Sequence, residues 1–123
     1  MVQTDDYATP HFKWSELECR CGCGTRFIED EALEKLETFR QIIGTPFTPN
    51  SSARCPLHNA RVGGVPLSFH RSTEVRPSCA FDIPLIEDKH AMIEAAVAAG
   101  FRGLGVNYKT FLHIDNRETE ARW

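Results

Sequence analysis

Long apolar runs are missing from this sequence, and so are blocks of basic residues. Its most apolar helix-like stretch, AMIEAAVAAG at residues 91–100, is shorter than the roughly 20 residues that a membrane-spanning helix needs. The net charge is −3, whereas proteins that bind nucleic acid usually carry a basic patch. We therefore expect neither a membrane nor a nucleic acid as a partner.

The N-terminal residues, MVQTDDYATPHFKW, lack the basic start and the apolar middle of a signal peptide. We therefore expect synthesis in a cytoplasm, so that any action on a cell wall or in a periplasm would follow release by another component. Internal repeats and low-complexity segments are missing too. With 41% hydrophobic and 25% charged residues, the sequence predicts one globular domain over residues 1–123, and we expect a monomer.

The five cysteines are an odd number with an unusual spacing. Cys19, Cys21 and Cys23 form the run CRCGC, and Cys55 and Cys79 stand alone. The spacing C-x-C-x-C is tighter than the C-x2-C pairs of ordinary zinc knuckles. Because a reducing compartment also disfavours disulfides, we expect reduced, packed thiols, with a disulfide or a structural metal as the alternatives.

Hydrophobic spacing predicts two main helices. In the first, apolar residues recur at three- and four-residue steps from Asp30 onward, and Gly44 ends the pattern. The second covers residues 87–100 and ends at Gly100. Its predicted apolar stripe consists of Met92, Ile93, Ala96 and Val97.

Strand-like alternation covers residues 79–85, and residues 103–117 predict two short strands around a turn. The lead-in over residues 1–28 is predicted to be irregular and rich in cysteine. Its expected anchors on the core are Phe12, Trp14 and Leu17. The sequence therefore predicts an α+β fold, in which two main helices pack around a small antiparallel sheet.

Three side chains form the strongest candidate for a chemical site: His70, Asp82 and His113. Two imidazoles and one carboxylate are a known ligand set for catalytic zinc, because they leave a coordination position for water. Asp82 lies between the apolar residues Phe81 and Ile83, where a charge is costly unless a partner compensates it. Spacing alone does not separate this hypothesis from three ordinary hydrogen-bonded side chains.

The surrounding residues strengthen the hypothesis. SSARCPLHNARVGGVPLSFH, CAFDIP and GFRGLGVNYKTFLHIDNR together resemble the zinc D-Ala-D-Ala carboxypeptidase family, which includes phage endolysins and other peptidoglycan D,D- and L,D-peptidases. The opening FKWSELECRCGCG looks like the lead-in of its smaller members. The resemblance covers residues 12–123. It implies the fold shared by D,D-peptidases and the hedgehog signalling domain.

Carried over by position, the resemblance implies that His70, Asp82 and His113 bind Zn²⁺. Arg54 matches the arginine that faces the substrate's carboxylate or backbone, and a guanidinium can bind a carboxylate at two points. The alternative for Arg54 is a surface ion pair.

Three further positions have weaker assignments. Ser68 matches the serine of S-x-H, which either binds substrate or braces its loop. Asp115 matches H-x-D and either activates the water as a catalytic base or orients His113. Tyr108 is assigned to substrate binding, as a hydrogen-bond donor to the oxyanion, with His58 as the alternative donor and packing as the alternative role for each.

The sequence also departs from the family pattern. The usual H-x6-D is H-x11-D here, so STEVRPSC contains extra residues, which we expect to form a rim or lid. Glu74 or Cys79, within this insertion, is an alternative zinc ligand. Thr110 occupies the position where many relatives have an acid, three residues before the last histidine.

The expected function is therefore that of a zinc metallopeptidase. Its expected substrate is the peptidoglycan stem peptide or cross-link, cut next to D-alanine by carboxypeptidase or endopeptidase action. The resemblance and the missing signal peptide fit a phage lysis enzyme that degrades the host cell wall. The alternative is a non-catalytic zinc-binding domain of the same fold, serving a structural or virion role. A redox or structural-zinc protein built on the cysteines ranks below both.

Overall fold

Four helices and six strands make up the part of the chain that the computed structural model describes, residues 6–123. The helices are α1 (Trp14–Leu17), α2 (Asp30–Ile43), α3 (Pro56–Arg61) and α4 (Lys89–Ala99). The strands are β1 (Tyr7–Thr9), β2 (Phe12–Lys13), β3 (Ala80–Pro84), β4 (Gly103–Gly105), β5 (Phe111–Asp115) and β6 (Ala121–Arg122). The predicted α+β class is confirmed. No helix in this part of the chain is long and apolar enough to cross a membrane.

Helix α2 begins and ends where the sequence predicts. Asp30 and Glu31 occupy its first turn, where their charges interact favourably with the positive end of the helix dipole. Gly44 follows the last turn with φ of 73°, a left-handed conformation that favours glycine. Buried residues such as Leu36 and Phe39 turn one side of α2 toward the core.

Helix α4 also forms as predicted, with the Asp88 side chain accepting a hydrogen bond from the backbone N–H of Ala91 at 3.2 Å. Its predicted apolar stripe is partly wrong. Val97 is 51% exposed, whereas Ala95 is buried. Because α4 carries apolar residues on several sides, the positions of its larger side chains do not identify the buried face.

The central sheet has the strand order β3-β5-β4-β6. Strands β3, β5 and β4 are antiparallel neighbours, as the sequence predicts, and the unpredicted β6 adds in parallel to β4. The register of β3 and β5 places Asp82 directly opposite His113. This pairing brings two of the three predicted metal ligands together through backbone hydrogen bonding.

The lead-in is more regular than predicted, since residues 7–17 form a small hairpin (β1 and β2) followed by α1. Phe12 and Leu17 are fully buried, and Trp14 packs on the core, as expected. Glu37 on α2 holds the hairpin by accepting hydrogen bonds from the Thr9 hydroxyl at 2.8 Å and the backbone N–H of His11 at 3.0 Å. Strands of two or three residues carry too little alternation to be recognised in a sequence. The first five residues of the predicted lead-in lie outside the described part.

Candidate metal centre

His70, Asp82 and His113 lie close together, with one candidate ligand atom from each within 4.8 Å of the others. Asp82 Oδ1 is 3.2 Å from His70 Nε2 and 3.0 Å from His113 Nδ1. Asp82 occupies the middle of β3 and His113 the middle of β5. His70 lies in the loop after α3. The backbone N–H of Arg54 donates a hydrogen bond to the His70 carbonyl at 2.8 Å, and this bond holds the loop beside Arg54.

The ring of His70 has one nitrogen engaged and one available. Its Nδ1–H donates to the Ser52 carbonyl at 2.8 Å, which fixes the tautomer because a carbonyl can only accept. The opposite nitrogen, Nε2, is buried, and among the described residues it has no hydrogen-bond partner. Its contact with Asp82 therefore lacks hydrogen-bond geometry. A buried nitrogen lone pair without a partner calls for an explanation, and a metal ion supplies one.

His113 is oriented from the opposite side. Its Nε2 lies 2.8 Å from Asp115 Oδ2, so that Nδ1 faces Asp82 and the centre. Asp115 is fully buried and accepts three further hydrogen bonds from Arg117, from Nε at 2.8 Å, from Nη2 at 2.7 Å and from the backbone N–H at 3.1 Å. The sequence left two roles open for Asp115, as catalytic base or as the residue that orients His113. The second role is favoured, because the carboxylate is already hydrogen-bonded to Arg117 and His113 and is shielded from the cleft.

Contacts among Asp82, His113 and Asp115 shift the pKa of each group toward its charged form. Burial alone would raise the pKa of the Asp82 carboxyl, but the hydrogen bond from His113 and the nearby His70 ring outweigh burial and hold that pKa well below its usual range. Burial also acts against the charged form of His113, yet its hydrogen bonds to Asp115 and Asp82 raise its pKa. The pKa of Asp115 falls to about 2, because its bonds from Arg117 and His113 overcome the effect of burial. The two aspartates are therefore ionised at neutral pH.

These three side chains fit a zinc ion. Ligands at ~2.0–2.1 Å from a tetrahedral zinc lie roughly 3.3 Å from one another, close to the 3.0 and 3.2 Å seen here. Asp82 provides a carboxylate oxygen, His70 a free Nε2, and His113 an Nδ1 whose proton a metal would displace. Neither alternative ligand joins them. Cys79 is buried within the hydrophobic core, and Glu74 lies outside the cluster.

A cleft of about 240 Å³ opens over the three ligands. Arg54, Ser68 and Tyr108, the three residues predicted to bind substrate, all line it. The Ser68 hydroxyl accepts a hydrogen bond from the backbone N–H of His70 at 3.1 Å and thus braces the ligand's loop. Larger depressions elsewhere, such as one of about 380 Å³ beside Phe69, contain none of the three ligands.

The inserted segment supports the His70 loop. Its Thr73 hydroxyl accepts a hydrogen bond from the backbone N–H of Arg76 at 2.9 Å, which closes a turn whose tip, Val75, is 96% exposed. The Arg76 guanidinium donates to the backbone carbonyls of Ser68 at 3.2 Å and Leu67 at 3.1 Å. The insertion therefore braces the edge of the cleft through Arg76.

Sequence reasoning missed three residues of the site: Ser52, Arg117 and Trp123. Ser52 contributes only its backbone carbonyl, which no side-chain pattern reveals. Trp123 Nε1–H donates to the Tyr108 hydroxyl at 3.0 Å, and its ring lies 5.2 Å from that of His113. Arg117 lies two residues after Asp115, a spacing that places both side chains on one face of an extended segment and could have indicated the pair.

The cluster of two histidines and one aspartate beneath the cleft is a candidate metal site. The sequence model of one family, described as Peptidase M15, matches residues 10–115. The chain belongs to this peptidase family, which is of the zinc D-Ala-D-Ala carboxypeptidase type and zinc-dependent, as the resemblance in the sequence predicted. No curated protein matches the chain.

Proposed function

We propose that this chain is a zinc-dependent peptidase that hydrolyses peptide bonds next to D-alanine in the stem peptides or cross-links of peptidoglycan. The observation that carries the proposal is the convergence of His70 Nε2, Asp82 Oδ1 and His113 Nδ1 beneath a cleft in a chain of the Peptidase M15 family. Zinc held there would polarise the substrate carbonyl and lower the pKa of water.

Arg54 supports a substrate that ends in a carboxylate. Its guanidinium carries five N–H donors, and the described residues accept two hydrogen bonds from it, at Ser51 Oγ (3.2 Å) and Asn59 Oδ1 (3.4 Å). Its Nη2 lies 3.8 Å from Asp82 Oδ2, beyond hydrogen-bond distance. Donors therefore remain on a side chain that lines the cleft beside the metal ligands. They can bind a terminal carboxylate in a carboxypeptidase, or a backbone carbonyl in an endopeptidase.

Asp115 and Arg117 position His113, whereas Tyr108 and Trp123 form the wall of the cleft. The Tyr108 ring stacks on Phe111 at 4.4 Å, and its hydroxyl accepts the Trp123 hydrogen bond, so its own O–H can still donate to substrate. The cleft is smaller than the roughly 300–1,000 Å³ of typical ligand pockets. The residues that flank the cleaved bond would enter it, and the rest of the peptide would lie across the surface.

A non-catalytic zinc-binding domain is the second candidate, and the lining of the cleft favours it in one respect. Apart from Asp82, no carboxylate lines the cleft among the described residues, and position 110 is a threonine. A proton acceptor for the attacking water must therefore come from another group, such as a carboxylate of the substrate. If no such acceptor operates, the chain would bind zinc and peptide without cleaving.

Incubation of the zinc-loaded protein with purified peptidoglycan and with a synthetic stem pentapeptide, followed by mass spectrometry of the products, tests the proposal. We expect release of D-alanine or of new amino termini, loss of that release with a chelator, and recovery with added zinc. His113→Ala should be inactive. Arg54→Gln should weaken cleavage, while Arg40→Gln, on α2 and outside the cleft, should not. Binding of the peptide without any product would favour the second candidate.

A further inference from the structure

We propose that Cys19, Cys21, Cys23 and Cys55 bind a second zinc ion, as a structural site separate from the catalytic one. The sulfur atoms of all four cysteines lie within 4.8 Å of one another. Three come from the loop after α1, and the fourth comes from the residue that precedes α3. The fifth cysteine, Cys79, is buried elsewhere in the core.

The sulfur spacing matches a tetrathiolate centre better than a disulfide. Four sulfurs at ~2.3 Å from a tetrahedral zinc lie about 3.8 Å apart. The Sγ atoms of Cys19 and Cys21 are 3.4 Å apart, and those of Cys21 and Cys55 are 3.7 Å apart. A disulfide brings two sulfurs to about 2.0 Å and would leave the other two cysteines beside it unexplained. All five cysteines are free in the structure.

Two glycines explain how the tight C-x-C-x-C spacing can gather its sulfurs. Gly22, between Cys21 and Cys23, and Gly24, directly after Cys23, have φ of 88° and 81°, left-handed conformations that turn the chain sharply within this loop. The loop is closed at its base by the backbone N–H of Cys19, which donates to the Thr25 carbonyl at 2.8 Å. These turns allow a spacing tighter than C-x2-C to bring three sulfurs together.

Backbone N–H groups also point at the sulfurs. Cys55 N–H donates to Cys19 Sγ at 3.3 Å, and His58 N–H donates to Cys55 Sγ at 3.3 Å. Hydrogen bonds of this kind stabilise metal-bound thiolates and fix their orientation. On binding, each thiol releases its proton to solvent, and the four thiolates donate their lone pairs to one Zn²⁺.

The proposed site would join two segments that are 34 residues apart at Cys21 and Cys55. Cys55 is the N-cap of α3 and directly follows Arg54, the residue that faces the cleft. The second zinc would therefore fix the lead-in against the segment that positions Arg54. Its binding does not depend on whether the chain cleaves peptidoglycan.

Cobalt substitution tests this inference in the His113→Ala variant, which lacks a ligand of the catalytic centre. We expect this variant, purified under reducing conditions, to retain about one zinc per chain, against about two in the unmodified protein. With Co²⁺ it should show a thiolate-to-cobalt charge-transfer band in the near ultraviolet. Adding Cys21→Ser and Cys55→Ser should abolish the band, whereas adding Cys79→Ser should leave it unchanged.

Absence of the charge-transfer band in reduced His113→Ala protein would overturn the inference. So would an intact mass that shows disulfides among the four cysteines after purification. If the serine variants do not fold, the His113→Ala measurements still decide the question, because that protein keeps all five cysteines. Peptidoglycan cleavage is not read in this experiment, so failure of the proposed function would not affect its outcome.

Discussion

Replacement of Asp115 by asparagine isolates the orienting role of this residue. Asparagine has nearly the same shape, so the buried position stays filled, but the carboxylate that accepts the Nε2–H of His113 at 2.8 Å becomes a neutral amide. Arg117 loses the charge that its Nε and Nη2 groups contact. His113 then has a weaker partner to hold its ring with Nδ1 toward the metal.

The expected effect is a loss of zinc affinity. Removing the partner of a metal-bound histidine commonly costs 10–100-fold in affinity, or roughly 1.4–2.7 kcal/mol. Competition between the protein and a chromophoric chelator of known affinity measures this loss. It should be measured in the Cys21→Ser, Cys55→Ser background, so that only the centre of His70, Asp82 and His113 contributes.

Asp30→Asn is the matched control, because Asp30 is exposed in the first turn of α2, away from the centre. It should leave the zinc affinity unchanged. Circular dichroism must show that Asp115→Asn is folded at the temperature used. An affinity equal to that of the unmodified centre in folded Asp115→Asn protein would refute the orienting role.

Three further predictions concern stability and substrate binding. Leu36→Ala should lower the free energy of unfolding by about 2–5 kcal/mol in denaturant titration, because Leu36 is fully buried in the core, and a loss below ~1 kcal/mol would contradict its place there. The pKa of Glu37 is lowered from 4.5 to about 2, because bonds from Gln41, His11 and Thr9 outweigh the effect of burial. The ionised form therefore stabilises the fold above about pH 4.5, and this contribution is lost as pH falls toward 2. Glu37→Gln should cost on the order of 3 kcal/mol at pH 7 and much less near pH 2, and a cost independent of pH would count against the assignment. Arg54→Lys should raise KM for a peptide ending in D-alanine more than it lowers kcat, because lysine keeps the charge but not the two-point geometry, and steady-state kinetics with an unchanged KM would exclude carboxylate binding by Arg54.

The sequence predicts the main helices and the sheet because their signals are local. Each of these signals lies within a few residues of the element that it predicts. They are the acidic residues at the start of α2, the glycines after α2 and α4, and the hydrophobic alternation in β3. The apolar pattern of α4 did not reveal its buried face, since that choice depends on the neighbouring α2 rather than on α4 itself. Strand β6 was missed because a strand of two residues is too short to show an alternating hydrophobic pattern.

For the candidate metal centre, the sequence could name the side chains but not their arrangement. His70, Asp82 and His113 were found through residue type and resemblance, and the register of β3 against β5 then brings Asp82 opposite His113. Which nitrogen of each histidine faces the centre depends on partners distant in sequence, such as the Ser52 carbonyl. The grouping of Cys55 with the CRCGC loop is likewise a tertiary contact that spacing along the chain cannot show.

Anomalous diffraction at the zinc absorption edge, from crystals of the purified protein, would locate a zinc ion bound by His70, Asp82 and His113. We expect one anomalous peak that lies about 2.0–2.2 Å from each of His70 Nε2, an Asp82 carboxylate oxygen and His113 Nδ1. A zinc-loaded crystal with no peak between these three atoms, or with His113 bound through Nε2 instead, would contradict it.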